Sequence, residues 1–472
     1  MERFMKYDLA VIGGGSAGLS VAAAAAQFGL SVVLFEKAEM GGDCLNTGCV
    51  PSKSLLAAAK VAHTQRHSAA YGITPIDPKV DFAKVMDHVQ GVINKIAPHD
   101  SQERFERLGV KVVRAPARFI NAHQLEAEGE VYVARKYVIA TGSRAAVPAI
   151  PGLKDVPYFT TETIFKNRLL PKHLVVIGGG PVGLEMAQAY RRLGSQVTVL
   201  DAFQPLTKDD PELTSIVLQA LQAEGIDIQA QVAITEIKNS KTGIDIIHKD
   251  GRVVSGSHLL VATGRQPNIE SLNLEAAGVA FSKRGITVDQ SLRSSNRKVY
   301  AAGDVAGGLQ FTHVAGYHAG LIIRNALFKL PVKNRFDVIP WVTYTDPELA
   351  HVGLAELDAR KTFGDSIKIL RWNFSENDRA QAEGKTQGMI KVVLSKRGRI
   401  MGASIVGAQA GELIAPWVLA LAKGLKISAF ANVVLPYPTL SEISKRAAIS
   451  SYAGMAQNPW LRRALGILKI LG

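Results

Sequence analysis

A glycine pattern that occurs twice limits the fold more than any other feature. YDLAVIGGGSAGLSVAAAAAQFGLSVVLFEK, from Tyr7, reads as strand, tight turn, helix, strand. Its glycines fall at Gly13, Gly15 and Gly18. In a β-α-β unit the first makes the turn, the second lets backbone approach a pyrophosphate, and the third packs helix on strand. The pattern returns from His173 in HLVVIGGGPVGLEMAQAYRRLGSQVTVLD, with Gly178, Gly180 and Gly183. The chain is therefore expected to be α/β, with two Rossmann-like dinucleotide-binding domains, each holding phosphate charge at a helix N-terminus.

Each unit closes on an acid. Glu36 follows the second strand of the first unit, where a carboxylate takes the hydroxyls of an adenosine ribose. Asp201 holds the matching place in the second and favours a free 2′-hydroxyl, hence NADH rather than NADPH. Two dinucleotide sites in one chain imply transfer between two cofactors. VIATGSR (138–144) and LVATGRQPN (260–268) each run from a strand into a glycine turn, one after each unit. VYAAGDVAG (299–307) is a further buried strand ending in Asp304, an acid suited to a ribityl or ribose hydroxyl.

Composition narrows the class. With 47% hydrophobic and 20% charged residues, the chain has ample material for sizeable cores. No apolar run reaches the roughly 18 residues that suggest a bilayer span, and the N-terminus has no signal-peptide layout. The formal net charge of +14 comes without a nucleic-acid-binding motif, so no nucleic-acid partner is expected and the charge reads as scattered over the surface. No metal site is expected. The reading is a cytoplasmic protein, in which a cysteine pair is redox-active rather than structural.

The 472 residues contain two cysteines, Cys44 and Cys49, both in GGDCLNTGCVPSK. In a regular helix such positions stand about 7.5 Å apart along the axis. A disulfide needs Cα atoms within roughly 4.4–6.8 Å. Either no bridge forms or the chain is distorted between them. Asn46, Thr47 and Gly48 are turn residues that supply the distortion. VPSKSLLAAAKVAH then reads as helix, Pro51 being acceptable in its first turn. Cys49 is thus expected at a helix N-terminus, where the dipole favours a thiolate.

Taken together, these motifs resemble the pyridine nucleotide-disulfide oxidoreductases, a family that includes dihydrolipoamide dehydrogenase, glutathione reductase and mercuric reductase. The resemblance runs from about Tyr7 to Ala448. It implies FAD at the first fingerprint and NAD(P)H at the second. It also implies a Cys44–Cys49 redox disulfide, with Cys49 nearest the flavin and Cys44 exchanging with substrate. Lys53 is implied beside the flavin and paired with Glu185. Ser16, Lys37, Gly42, Ala117, Thr141, Gly142, Ser143, Asp304 and Thr312 join the implied FAD site; Val182, Glu185 and Gly264 join the NAD site. LQFTHVAGYHAGLIIRNAL reads as a helix from near Thr312, whose positive end suits reduced flavin. His313 and His318 on it are expected to face core or backbone.

The C-terminal stretch ANVVLPYPTLSEISKRAA resembles the family's interface signature, in which a histidine acts across the homodimer as acid–base partner of the exchanging thiol and a glutamate orients it. Here Pro438, Thr439 and Glu442 remain, but Tyr437 holds the histidine's place. A tyrosine titrating near 10 is a poor general base at neutral pH, where a histidine titrating near 6.5 is a good one. Mercuric reductases commonly carry tyrosine there, but add a second cysteine pair that this chain lacks. Pro181 stands where some relatives have an aromatic gate over the nicotinamide.

The expected layout is an FAD domain at 1–146 and 268–336, an NAD domain at 147–267, an α+β interface domain at 337–456 that makes a homodimer, and a basic amphipathic tail at 457–472. In the tail, Leu461, Ala464, Leu465, Leu468 and Leu471 share an apolar face, with Arg462 and Lys469 opposite and Arg463 at the flank. It reads either as a short helix on an anionic membrane, making the protein peripheral to a membrane's inner face, or as a helix packed on the dimer. Three functions stay open. The first is NADH oxidation through the cysteines to a disulfide- or thiol-linked small-molecule acceptor. The second is delivery from flavin to a quinone, or mercuric-reductase-like chemistry. The third is an NADH-responsive redox-sensing module.

Overall fold

The computed structural model describes residues 5–241, 243–454 and 458–471, with side chains up to 469 in the last segment. Met1, the expected boundary between 456 and 457, the side chain of Leu471 and Gly472 lie outside the described residues. Two sheets carry the glycine units, the first mixed, with antiparallel strands at one edge, and the second parallel. In the first, strands run in the order Val110–Val113, Val32–Phe35, Met5–Ile12, Glu130–Ile139, Gln124–Ala127, Arg118–Asn121, and Val299–Ala301 also pairs with Glu130–Ile139. Its central strands are continuous apolar runs: Leu9 to Ile12 and Val32 to Phe35 are all buried, as befits strands covered on both faces. The second sheet runs Asp227–Gln229, Gln196–Leu200, His173–Ile177, His258–Val261, Phe159–Thr160.

The two units use the same steric device. Gly13 has φ +110°, and a Cβ there would stand 2.3 Å from the carbonyl oxygen of Ala140. Gly178 has φ +113°, and its Cβ would stand 2.4 Å from that of Ala262. Both φ values and both contacts exclude other residues. They also explain why a strand ending in Ala-Thr-Gly follows each unit. Glu130–Ile139 lies parallel to Met5–Ile12, and His258–Val261 lies parallel to His173–Ile177, so each delivers its alanine carbonyl against a fingerprint turn.

The chain passes from one sheet to the other and back through a paired crossing. Ser143–Ala145 lies antiparallel to Arg265–Pro267. Thr141 Oγ1 donates to the Asn268 carbonyl at 2.7 Å, and Asn268 Nδ2 returns a bond to the Thr141 carbonyl at 2.9 Å.

Beyond residue 337 an antiparallel sheet runs Trp341–Thr343, Glu348–Gly353, Ile400–Gly407, Met389–Ser395, Ile367–Asn373. GMIKVVLS and IMGASIVG supply its central strands. ELIAPWVLALAKGL forms two helices, Ala410–Leu413 and Ala415–Lys423. Pro416 accounts for the break, because its ring clashes with a carbonyl one turn earlier in a continuous helix. Trp417 is fully buried, stacks on Phe430 at 3.9 Å and donates its indole N–H to Ser444 Oγ at 3.0 Å.

A buried charge cluster ties this sheet to the second glycine unit. Lys391 Nζ lies 2.8 Å from Asp210, 2.6 Å from Glu212 and 3.1 Å from Glu356. Arg371 joins Glu212 and Glu356 from the neighbouring strand.

Candidate active site

The cysteine loop is two helices with a break. Cys44 lies in the short helix Gly42–Asn46, and Cys49 opens the helix Cys49–Arg66. Asn46 Nδ2 donates to the carbonyls of Met40 and Gly42, closing the first helix on itself. Gly48 then brings the chain back so closely that a Cβ there would stand 2.9 Å from the Asp43 carbonyl oxygen and 3.4 Å from the Cys44 Cα. The turn residues Asn46, Thr47 and Gly48 thus supply the expected distortion. Both cysteines are free thiols in this structure, and they hydrogen-bond to each other.

The pair holds one charge, on Cys49. Its pKa is lowered to about 6, first by the hydrogen bond from the Cys44 thiol, then by the Thr312 hydroxyl and the Lys53 ammonium, against the opposing effect of burial. Cys44, the donor, is held above the usual thiol range by that bond and by burial. Thr312 Oγ1 lies 3.4 Å from Cys49 Sγ and opens the helix Thr312–Ala326. Two helix N-termini therefore converge on one sulfur, each adding positive potential.

One turn beyond Cys49, Lys53 Nζ donates to Glu185 Oε2 at 2.7 Å. Glu185 belongs to the helix Pro181–Leu193 and is 2% exposed. Its other oxygen accepts the Tyr344 backbone N–H at 2.9 Å, and the Tyr344 ring lies 4.4 Å from Lys53 Nζ. The expected Lys53–Glu185 pair is formed, and it joins the cysteine helix, the second glycine unit and the C-terminal domain.

Sequence reasoning missed a second cluster beside the cysteines. Arg265 Nε donates to Ser143 Oγ at 2.7 Å and stands 3.5 Å from Asp304 Oδ2, while its Nη2 bonds Asp43, the residue before Cys44. Ser143 Oγ in turn donates to Asp304 at 2.5 Å. Burial raises the Asp304 pKa. The available signal was the arginine inside LVATGRQPN, four residues after a buried strand. Tyr344, also missed, carried no sequence signal.

Glu36 and Asp201 occupy matching positions. Glu36 accepts the Gly14 N–H at 2.6 Å and the Ala38 N–H at 2.7 Å. Asp201 accepts the Gly179 N–H at 2.5 Å and the Phe203 N–H at 2.7 Å. Ala117 is buried, Lys37 is exposed, and Pro181 and Val182 open their helix facing solvent. His318 accepts the Gly303 N–H at 3.2 Å, and His313 lies 2.8 Å from the Pro340 carbonyl, so both face backbone.

Tyr437 and Glu442 lie elsewhere. Tyr437 is 66% exposed and donates its hydroxyl to Asp378 at 2.7 Å. That bond, and next the charge of Asp378, raise its pKa above the usual tyrosine value. Among the described residues, no hydrogen bond or ion pair joins Tyr437 or Glu442 to the cysteines.

The glycine turns fit dinucleotides on a direct test. The helices Ser16–Gln27 and Pro181–Leu193 begin at Gly15 and Gly180 with no side-chain cap and no acid in the first turn. Their first N–H groups are left for an anion, and a Cβ at Gly180 would meet nothing within 4 Å.

Two glycine-turn nucleotide units, a dithiol at a helix N-terminus and an antiparallel C-terminal domain define a flavoprotein disulfide reductase. The chain belongs to the pyridine nucleotide-disulphide oxidoreductases: residues 7–319 match that family, and 339–448 match its dimerisation domain, which implies a homodimer. The family uses FAD and a pyridine nucleotide. Mercuric reductase of Bacillus cereus is 33% identical over 451 residues, 94% of this chain and 71% of that protein. Dihydrolipoyl dehydrogenase of Thermus scotoductus is 37% identical over 453 residues, 94% of this chain and 96% of that protein. The HOCl-induced flavoprotein disulfide reductase RclA of Escherichia coli superposes with a TM-score of 0.85 at 28% identity, covering 94% of this chain and 99% of that one.

Proposed function

We propose that this protein oxidises NADH and passes the electron pair through Cys44 and Cys49 to a disulfide- or thiol-linked acceptor. The observation that carries the reading is geometric: both thiols are free, Cys49 opens a helix with Thr312 Oγ1 3.4 Å from its sulfur, and the Lys53–Glu185 pair stands one turn on. On this reading Gly13, Gly15, Gly18, Glu36, Ser143, Asp304 and Thr312 hold FAD, and Gly178, Gly180, Gly183 and Asp201 hold NADH. Bound there, FAD supplies two-electron transfer between a nicotinamide and a disulfide. In this layout the FAD domain spans 1–146 and 268–336, the NAD domain 147–267 and the interface domain 337–456.

The chain's own residues then divide the work. Lys53, fixed by Glu185, keeps a positive charge beside Cys49. Cys44 is the nucleophile toward the acceptor once its proton has passed along its hydrogen bond to the Cys49 sulfur. Attack on an acceptor disulfide forms a mixed disulfide and releases one acceptor thiolate. The first released thiolate takes the proton from Cys49, which then attacks the Cys44 sulfur, releases the second thiolate and closes the Cys44–Cys49 bridge. Tyr437, whose single O–H is held by Asp378, is a hydrogen-bond donor to a leaving thiolate only after it gives up that bond, and is not the base.

The absence of a base gives a second reading: electrons leave directly to a quinone-type acceptor, and the thiols lie off the main path. Initial NADH oxidation rates with lipoamide, glutathione disulfide, mercuric ion and a soluble quinone, for wild type and Cys44→Ser, separate the two. Loss of a fast disulfide reaction in Cys44→Ser supports the thiol route. A variant that keeps the full rate with quinone, where no disulfide turns over, overturns it.

A further inference from the structure

The redox site uses nothing beyond residue 450. The helix Pro459–Leu471 follows, and every described side chain on it is exposed. At 100° per residue, the described side chains from Trp460 to Lys469 fall into two sectors. Trp460, Leu461, Ala464, Leu465, Ile467 and Leu468 fill one continuous apolar side. Arg462, Arg463 and Lys469 fill the other, with Gly466 between them. Trp460, Ile467 and Leu468 are each more than 60% exposed. The Arg463 guanidinium lies over the Trp460 ring at 5.8 Å from its centre, so the aromatic residue sits at the seam between the sectors. After Glu442 the chain has no further acidic side chain but five basic ones, Lys445, Arg446, Arg462, Arg463 and Lys469. A soluble surface helix normally mixes charges opposite its apolar stripe and buries that stripe on its own core. This one does neither.

We propose that this helix docks the protein on the surface of an anionic lipid bilayer. The partner follows from the charges. A second copy packed helix to helix brings the same cations and repels them, whereas an anionic headgroup layer attracts all three, and the acyl boundary takes the apolar side. At about 1.5 Å per residue the helix is roughly 20 Å long, and no helix among the described residues is long and apolar enough to cross a membrane. It lies along the surface, with Trp460 at headgroup level, where such rings concentrate. Docking needs no change at the cysteines and stands whatever acceptor the enzyme uses.

The test is co-sedimentation of the full FAD-loaded chain with vesicles of phosphatidylcholine alone and of phosphatidylcholine with phosphatidylglycerol. Binding is expected on the anionic vesicles only, with release as salt rises and screening shortens. Each cation removed in Arg462→Gln and Arg463→Gln weakens binding about fivefold. Leu465→Asp with Leu468→Asp abolishes it, and NADH oxidation by all variants is unchanged. Equal binding to neutral vesicles overturns the proposal, as does full binding by a chain ending at residue 457. So does loss of the dimer on that truncation with no vesicle binding by the full chain, which makes the helix an inter-subunit contact.

Discussion

Replacing Cys44 by alanine removes the largest stabiliser of the Cys49 thiolate and leaves the chain with one thiol. In the structure Cys49 ionises at about 6, and the Cys44 hydrogen bond leads the causes, ahead of Thr312 and Lys53. An ordinary thiol ionises near 8.5. At pH 7 a group at 6 is about nine-tenths ionised, and one at 8.5 about 3%. Because Thr312 and Lys53 remain in the variant, its midpoint should settle between these limits, near 7.5, with about a quarter of the thiol ionised at pH 7. Cys44→Ser keeps a hydroxyl donor and should hold the midpoint within about half a unit of 6. The assay is the rate of iodoacetamide alkylation against pH on the FAD-loaded enzyme. The thiolate is the alkylated form, and each variant has only Cys49 to react. The midpoint is the readout, since absolute rates also vary with intrinsic nucleophilicity. An alanine variant that still titrates at about 6 refutes the assignment of the charge to the Cys44 bond and transfers it to Thr312 and Lys53.

Lys391→Met strands the buried Asp210 and the acids beside it; it should lower stability by about 3–5 kcal/mol in thermal or denaturant unfolding. Glu212 is held at about 2, first by its hydrogen bond from Arg371 and then by Lys391. A depressed carboxylate contributes stability above its unfolded value near 4.3, lost as pH falls toward 2; Glu212→Gln should therefore flatten the acid side of the stability–pH curve. On the proposed reading, Asp201 favours a free 2′-hydroxyl, so in Asp201→Ala the ratio of NADPH to NADH turnover should rise, read from kcat/KM for each. Tyr437→His installs a group titrating near 6.5 and should speed disulfide reduction by 10²-fold or more, with a pH optimum that follows the new group.

What could be read from the sequence is what local sterics decide. The glycine turns were legible because Gly13 and Gly178 face a carbonyl no side chain can clear, and that constraint shows in a few consecutive residues. The break between the cysteines was legible for the same reason at Gly48. Glu185 was named as the partner of Lys53 only through family resemblance, since nothing in spacing brings those positions together. Arg265 was passed over because its partners, Asp43, Ser143 and Asp304, come from three separate segments. The Lys391 cluster was invisible because nothing in GMIKVVLS shows which acids its lysine meets. It is buried because acids from the second unit and from a neighbouring helix reach it.

The structure also separates two halves of the chemistry by how firmly each is built. Around Cys49, groups from distant parts of the chain meet: Thr312 from one helix, Lys53 from another, Glu185 from the second glycine unit and Tyr344 from the C-terminal domain. Glu185 is the buried member of this group, so moving Lys53 or Tyr344 away leaves a buried carboxylate short of a partner. Within a single chain Tyr437 has one acid as partner, Asp378, which holds its proton more firmly. Asp378 takes the one O–H of Tyr437 and stabilises the neutral phenol, a state unsuited to taking a proton.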